Sequence, residues 1–154
     1  MSLSSDAGRH PYLRLAAMAV LSFLAMYALM YAMVDRTDNV LMNYNQVYMA
    51  ALMAAPMVLI ELSLMGSMYP DRRANAAVVA AALLVLAGSW ALIREQGAIS
   101  ERQFLRSMIP HHASALLMCR EARLADPGVV DLCQRILRSQ EAEIREMKDK
   151  LARL

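Results

Sequence analysis

The sequence predicts an all-α protein in two parts, three transmembrane helices followed by an antiparallel helical hairpin. Three observations lead there. The chain is 58% hydrophobic with a mean hydropathy of +0.33, high for a water-soluble domain. Its apolar residues concentrate in three nearly uncharged stretches within the first hundred residues. The remainder turns to a mixed-sign pattern with helical spacing, punctuated by "ADPG". The expected organisation is an N-terminal tail over 1–14, a three-helix membrane region over 15–98 and a hairpin domain over 99–154.

The first eight residues, "MSLSSDAG", carry little to bury and read as a disordered tail. The stretch 15–34 has no charge, 47–68 has Glu61 alone, and 75–93 has none. At about 1.5 Å per residue each can cross a hydrocarbon core of about 30 Å. None shows the polar stripe of a helix packed in a soluble core. The first could be taken for a signal peptide, but its apolar run is too long and no small-x-small site follows. It reads as an uncleaved anchor.

Flanking charge sets the orientation. Arg9 and Arg14 precede the first span, and Arg72 and Arg73 lie in the second loop. The first loop has Asp35 and Asp38 against Arg36. Cationic flanks stay in the cytoplasm, so the N-terminus is inside and everything after the third crossing outside. For a bacterial inner membrane that outside is the periplasm.

From Ile99 onward, ten Lys or Arg stand against eight Asp or Glu, a solvated helical surface and not a nucleic-acid footprint. Gly97 is expected to break the helix, and "SERQ" reads as a capping box with Ser100 as N-cap and Gln103 reaching back. Leu105, Met108, His112, Ala115, Cys119 and Ala122 then form one seam at alternating spacings of three and four. Asp126 and Pro127 open the second helix, with Cys133, Leu137, Gln140, Ile144, Met147 and Leu151 as its seam. With the turn near Asp126, residues whose numbers sum to about 252 face each other. Cys119 then meets Cys133, His112 meets Gln140, and Met147 lies within a turn of Met108. Two helices bury too little to stand alone. The hairpin needs a second copy, its own membrane segment or a partner, and a homodimer closing a four-helix bundle is the simplest solution.

"MIPHHASALLMC" gathers the unusual chemistry. Met108 is one turn before His111 and His112, Met118 two turns after His111, and Met147 comes from the other helix. Thioether and imidazole together suit copper, sulfur favouring Cu(I). Zinc would want thiolates or carboxylates, and only Glu143 is placed to help. The plain alternative is one solvent-facing histidine and one hydrogen-bonded in the core. Cys119 and Cys133 can be small buried hydrophobes, thiolates at a Cu(I) site, or a disulfide in an oxidising compartment.

The segment from Gln103 to Leu151 resembles the domain-of-unknown-function family 305, a ferritin-like helical group. The shared pattern is Met108, His111, His112, Ala115 and Met118, then Asp126 and Pro127, then Gln140, Glu143, Ile144 and Met147. The family often has Gln-Gly after the histidines, where this chain has Ala113 and Ser114. Some members are periplasmic copper-binding proteins. The resemblance therefore implies half of a ferritin-like bundle with Met108, His111, His112, Met118 and Met147 as candidate ligands.

In the membrane part, Met49, Met53, Met57, Glu61 and Met65 recur every four residues, while Met18, Met26, Met30 and Met33 lie near one stripe of the first span. Methionine packs well in any helix. Glu61 is costly within a span and should face a helix neighbour, with Ser22 and Tyr27 on offer. Together Glu61, Met53, Met57 and Met65 form a candidate polar and thioether site. The expected function is copper binding, storage or tolerance at the membrane, in association with lipid and as a homodimer or larger assembly. The alternative is a structural or assembly subunit of a membrane complex. An enzyme is not expected, because neither histidine has Glu three residues before it as di-iron bundles require.

Overall fold

The structure is a computed structural model that describes residues 11–154. The tail expected over the first eight residues, and Arg9, lie outside the described residues. Five long helices follow one another: α1 (Pro11–Leu29), α2 (Tyr44–Leu64), α3 (Arg72–Glu95), α4 (Glu101–Glu121) and α5 (Pro127–Leu151). There is no strand among the described residues. Residues 11–14 already form the first turn of α1.

Three segments are long and apolar enough to span a membrane: Pro11–Met33, Tyr44–Leu64 and Arg72–Glu95. Only 6, 17 and 11% of their most apolar windows are buried by the protein itself. Surfaces this apolar and this exposed suit lipid and would be untenable in water.

The chain divides into two compact units. One comprises the described residues up to Ala28 with Val47–Gly97, and the other Leu29–Gln46 with Ala98–Leu154. In the first unit Asp71 caps α3, accepting from Arg73 N and Ala74 N at 2.8 and 3.2 Å. Tyr12 of α1 accepts from Asp71 N at 3.1 Å and donates to Asn75 Oδ1 at 2.9 Å. The break after α3 departs from a simple glycine stop. Gln96 and Ala98 take the left-handed conformation, with φ of 51° and 58°. Gly97 is needed for closeness instead, since a Cβ there would come within 2.5 Å of Leu92 Cδ2.

The second unit holds the hairpin and the loop between α1 and α2. Ser100 caps α4 by accepting from Gln103 N at 3.4 Å, and Asp126 caps α5 by accepting from Val129 N at 2.9 Å. The second half of the expected capping box does not form in that way. Gln103 turns its side-chain oxygen to the backbone N–H of Tyr44 at 3.0 Å, satisfying an open donor at the start of α2.

The buried face of α4 is also displaced from the expected seam. Leu105, Ile109, Ala113 and Leu116 are buried, whereas Met108, His112, Ala115 and Cys119 are half-buried and Ala122 is exposed. The reason is a third layer. Val34 and Leu41 from the loop pack on Ile109, Ala113 and Leu116, which also meet Leu137, Ile144, Met147 and Leu151 of α5. Charge pins the loop as well: Arg120 bonds Asp35 at 2.9 Å and Glu141 at 2.5 Å, and Lys148 bonds Asp38 at 2.7 Å. Much of the cover assigned to a second copy thus comes from the chain's own loop.

Candidate metal centre on the hairpin

The centre is built where α4 and α5 run side by side. His112 is half-buried and held from both sides. Its Nδ1 lies 2.9 Å from the carbonyl oxygen of Met108, one turn back on α4. Its Nε2 lies 2.9 Å from Glu143 Oε2 on α5. Both contacts are hydrogen bonds only when both ring nitrogens carry protons, as an imidazolium against a carboxylate. Glu143 also accepts from the Ser139 hydroxyl at 2.6 Å. That bond, more than the neighbouring His112, holds the Glu143 carboxyl below its usual range, and partial desolvation opposes it.

An open pocket of about 380 Å³ sits over this pair, lined by Phe104, Leu105, Met108, His112, Glu143, Glu146, Met147 and Lys150. Four of the six candidate ligands therefore converge: Met108, His112, Glu143 and Met147. Two do not line the pocket. His111 is exposed, its ring meeting His112 only edge-on at 5.9 Å between centroids, and Met118 is 52% exposed two turns further on. The cause is the helical period: neighbouring residues diverge by about 100°, so α4 cannot aim both histidines at α5.

His112 meets Glu143 and not the expected Gln140, about one turn further along α5. Gln140 keeps its side-chain oxygen enclosed without a protein partner. The variant pair after the histidines has its own roles. Ala113 is fully buried in the core, and the Ser114 hydroxyl donates to Pro110 O at 2.9 Å. Among the described residues no group of three or more His, Cys, Asp or Glu converges. The donors that do converge are two thioethers, one imidazole and one carboxylate, a set that suits a soft cation better than a structural zinc. Cys119 and Cys133 are joined in a disulfide with Cα atoms 5.4 Å apart, so no free thiolate remains to ligate.

In the membrane unit Glu61 accepts from the Tyr69 hydroxyl at 3.3 Å, not from Ser22 or Tyr27. The Ser22 hydroxyl turns to Met18 Sδ at 3.6 Å. A cavity of about 220 Å³ beside Glu61 is lined by Pro11, Arg14, Leu15, Met18, Met68 and Tyr69. Met53, Met57 and Met65 do not line it; Met53 and Met65 are 44 and 42% exposed. Glu61 lies near the end of α2, level with the start of α1, where a carboxylate costs less than at mid-span.

Residues 64–151 match the family described as Domain of unknown function (DUF305). The chain belongs to this family. The match begins ahead of α3, so the family's domain takes in the third apolar helix as well as the hairpin. A protein of Acanthamoeba polyphaga mimivirus, described as "Uncharacterized protein L153", is 29% identical over 133 residues, covering 84% of this chain and 86% of that protein. No solved structure matches the chain.

Proposed function

We propose that this DUF305 protein is a non-catalytic, multi-pass membrane protein that binds copper, as Cu(I), on the exported face of a bacterial inner membrane. The observation that carries the reading is the convergence of Met108, His112 and Met147 on one open pocket beside Glu143. Two thioethers and an imidazole are a donor set that favours Cu(I). Met108 holds the ring through its carbonyl on Nδ1, which leaves Nε2 as the ligating nitrogen, the usual second-sphere arrangement for a metal-bound histidine. Metal entry takes the place of the Nε2 proton, and Glu143 is beside it to accept that proton or to balance the charge. His111 and Met118 stand outside this set. The disulfide favours the exported side, since such bonds persist in oxidising compartments.

The test is Cu(I) affinity of the full chain in detergent, measured by competition with a chromophoric chelator. His112→Ala and Met147→Leu should each weaken binding at least tenfold, whereas His111→Ala should change it less than threefold. Equal affinity in the wild type and the His112→Ala variant would reject the site. A second reading, an assembly subunit with no metal role, draws on the exposed apolar residues Phe104, Met118 and Leu132 of the hairpin. Unchanged Cu(I) affinity across all three variants, together with co-purification of a stoichiometric partner, would favour it.

A further inference from the structure

The three apolar helices do not close on themselves. Between them runs a cleft of about 330 Å³ whose walls are almost entirely apolar, with alanines from every helix, among them Ala16, Ala54 and Ala81. On α1 the cleft extends from Tyr12 to Phe23. Eleven rises of about 1.5 Å make it roughly 16 Å long, half of a hydrocarbon core of about 30 Å. It is therefore one leaflet deep.

The end of the cleft at Tyr12 is polar and basic. Tyr12 is hydrogen-bonded to Asp71, and the next two residues, Arg72 and Arg73, are exposed. Arg14 stands one turn from Pro11 on the same helix and lines the neighbouring cavity, separated from the cleft by the buried Leu15. The acidic groups at this end are already engaged: Asp71 caps α3 and Glu61 accepts from Tyr69. A slot one leaflet long with arginines at its mouth matches a lipid with a negative headgroup. It does not match a helix, since one turn of a helix about 10 Å across occupies about 420 Å³, more than the whole cleft.

We propose that this cleft holds one acyl chain of an anionic phospholipid, with its phosphate beside Arg14, Arg72 and Arg73. The proposal rests on the three helices crossing a bilayer and is independent of copper binding. Retention of the protein in alkali-washed membranes tests that premise separately. The chain's own contribution is twofold: alanine walls keep the slot open, and the arginines select the headgroup.

The experiment uses the full chain in dodecyl maltoside micelles doped with phosphatidylglycerol or phosphatidylcholine at equal mole fraction. Thermal unfolding and native mass spectrometry are the readouts. Phosphatidylglycerol should raise the midpoint several degrees more than phosphatidylcholine and stay bound as one molecule per chain. Ala16→Leu/Ala81→Leu, both at exposed positions with room to fill the slot, should abolish retention. Arg72→Gln/Arg73→Gln should remove the preference for phosphatidylglycerol and leave the basal midpoint within a few degrees. Equal effects of the two lipids on the wild type would overturn the proposal, as would undiminished retention in the alanine variant. If that variant instead breaks up a larger complex, the occupant is a protein helix and the lipid assignment is wrong.

Discussion

Arg120 lies at the end of α4 and holds two elements to it at once. Its guanidinium bridges Asp35 of the loop and Glu141 of α5, and those bonds, Glu141 first, hold its charged form more firmly than in free arginine. The Asp35 side chain is only 4% exposed, so removing Arg120 leaves a carboxylate out of water with Asn39 as its remaining hydrogen-bond donor. Breaking a fully buried pair costs roughly 3–5 kcal/mol, and the partial exposure of Arg120 reduces that to about 2 kcal/mol. Arg120→Met should lower stability by that amount, read as a shift of the denaturation midpoint. Arg120→Met combined with Asp35→Asn should recover part of the loss, and a double variant no better than the single one would show that the pair does not hold the loop. Asp38 behaves alike on a smaller scale. Its bond to Lys148 lowers its pKa, so the stability it contributes is complete above its ordinary value near 3.8 and is lost as pH falls through the depressed one.

At the level of elements, the disulfide clamps α4 to α5 across 14 residues of sequence. Closing a loop of about that length constrains the unfolded chain by about 3 kcal/mol. Cys119→Ser/Cys133→Ser should therefore lower the midpoint of the hairpin unit by several degrees in non-reducing buffer. In reducing buffer the wild type should fall to the level of the variant. A wild-type midpoint insensitive to reductant would mean that the bond does not form in the purified protein. The hairpin was legible in the sequence for local reasons: Ser100, Asp126 and Pro127 are helix-end residues whose chemistry acts within four positions. The Cys119–Cys133 pairing followed from the same turn. What could not be read was the azimuth of α4, because it depends on Val34 and Leu41, more than sixty residues away, covering Ile109 and Leu116. That rotation decides the candidate site. It aims His112 at Glu143 and leaves His111 outside, a choice between adjacent residues that spacing alone cannot make. Gln103 shows the same effect, a cap residue drawn off by a distant backbone donor at Tyr44.

For the whole molecule, the question is which side of the membrane receives the hairpin. Three crossings place the segments after α3 opposite the N-terminus, and the loop between α1 and α2 on the hairpin's side, as their shared unit requires. The arginines of the other side, Arg14, Arg72 and Arg73, are the kind of flank that stays cytoplasmic, and the loop packed on the hairpin carries two aspartates that are paired with α4 and α5. An N-in, C-out chain satisfies all three facts together. A C-terminal alkaline phosphatase fusion should accordingly be active and a C-terminal green fluorescent protein fusion dark. Arg72→Glu/Arg73→Glu weakens the retaining charge and should reduce the phosphatase signal. The disulfide gives an independent check, because thiol labelling of intact cells should find Cys119 and Cys133 blocked before reduction and reactive after it. A dark phosphatase fusion with freely labelled cysteines would place the hairpin in the cytoplasm, where Met108, His112 and Met147 would meet a reducing, copper-poor solution.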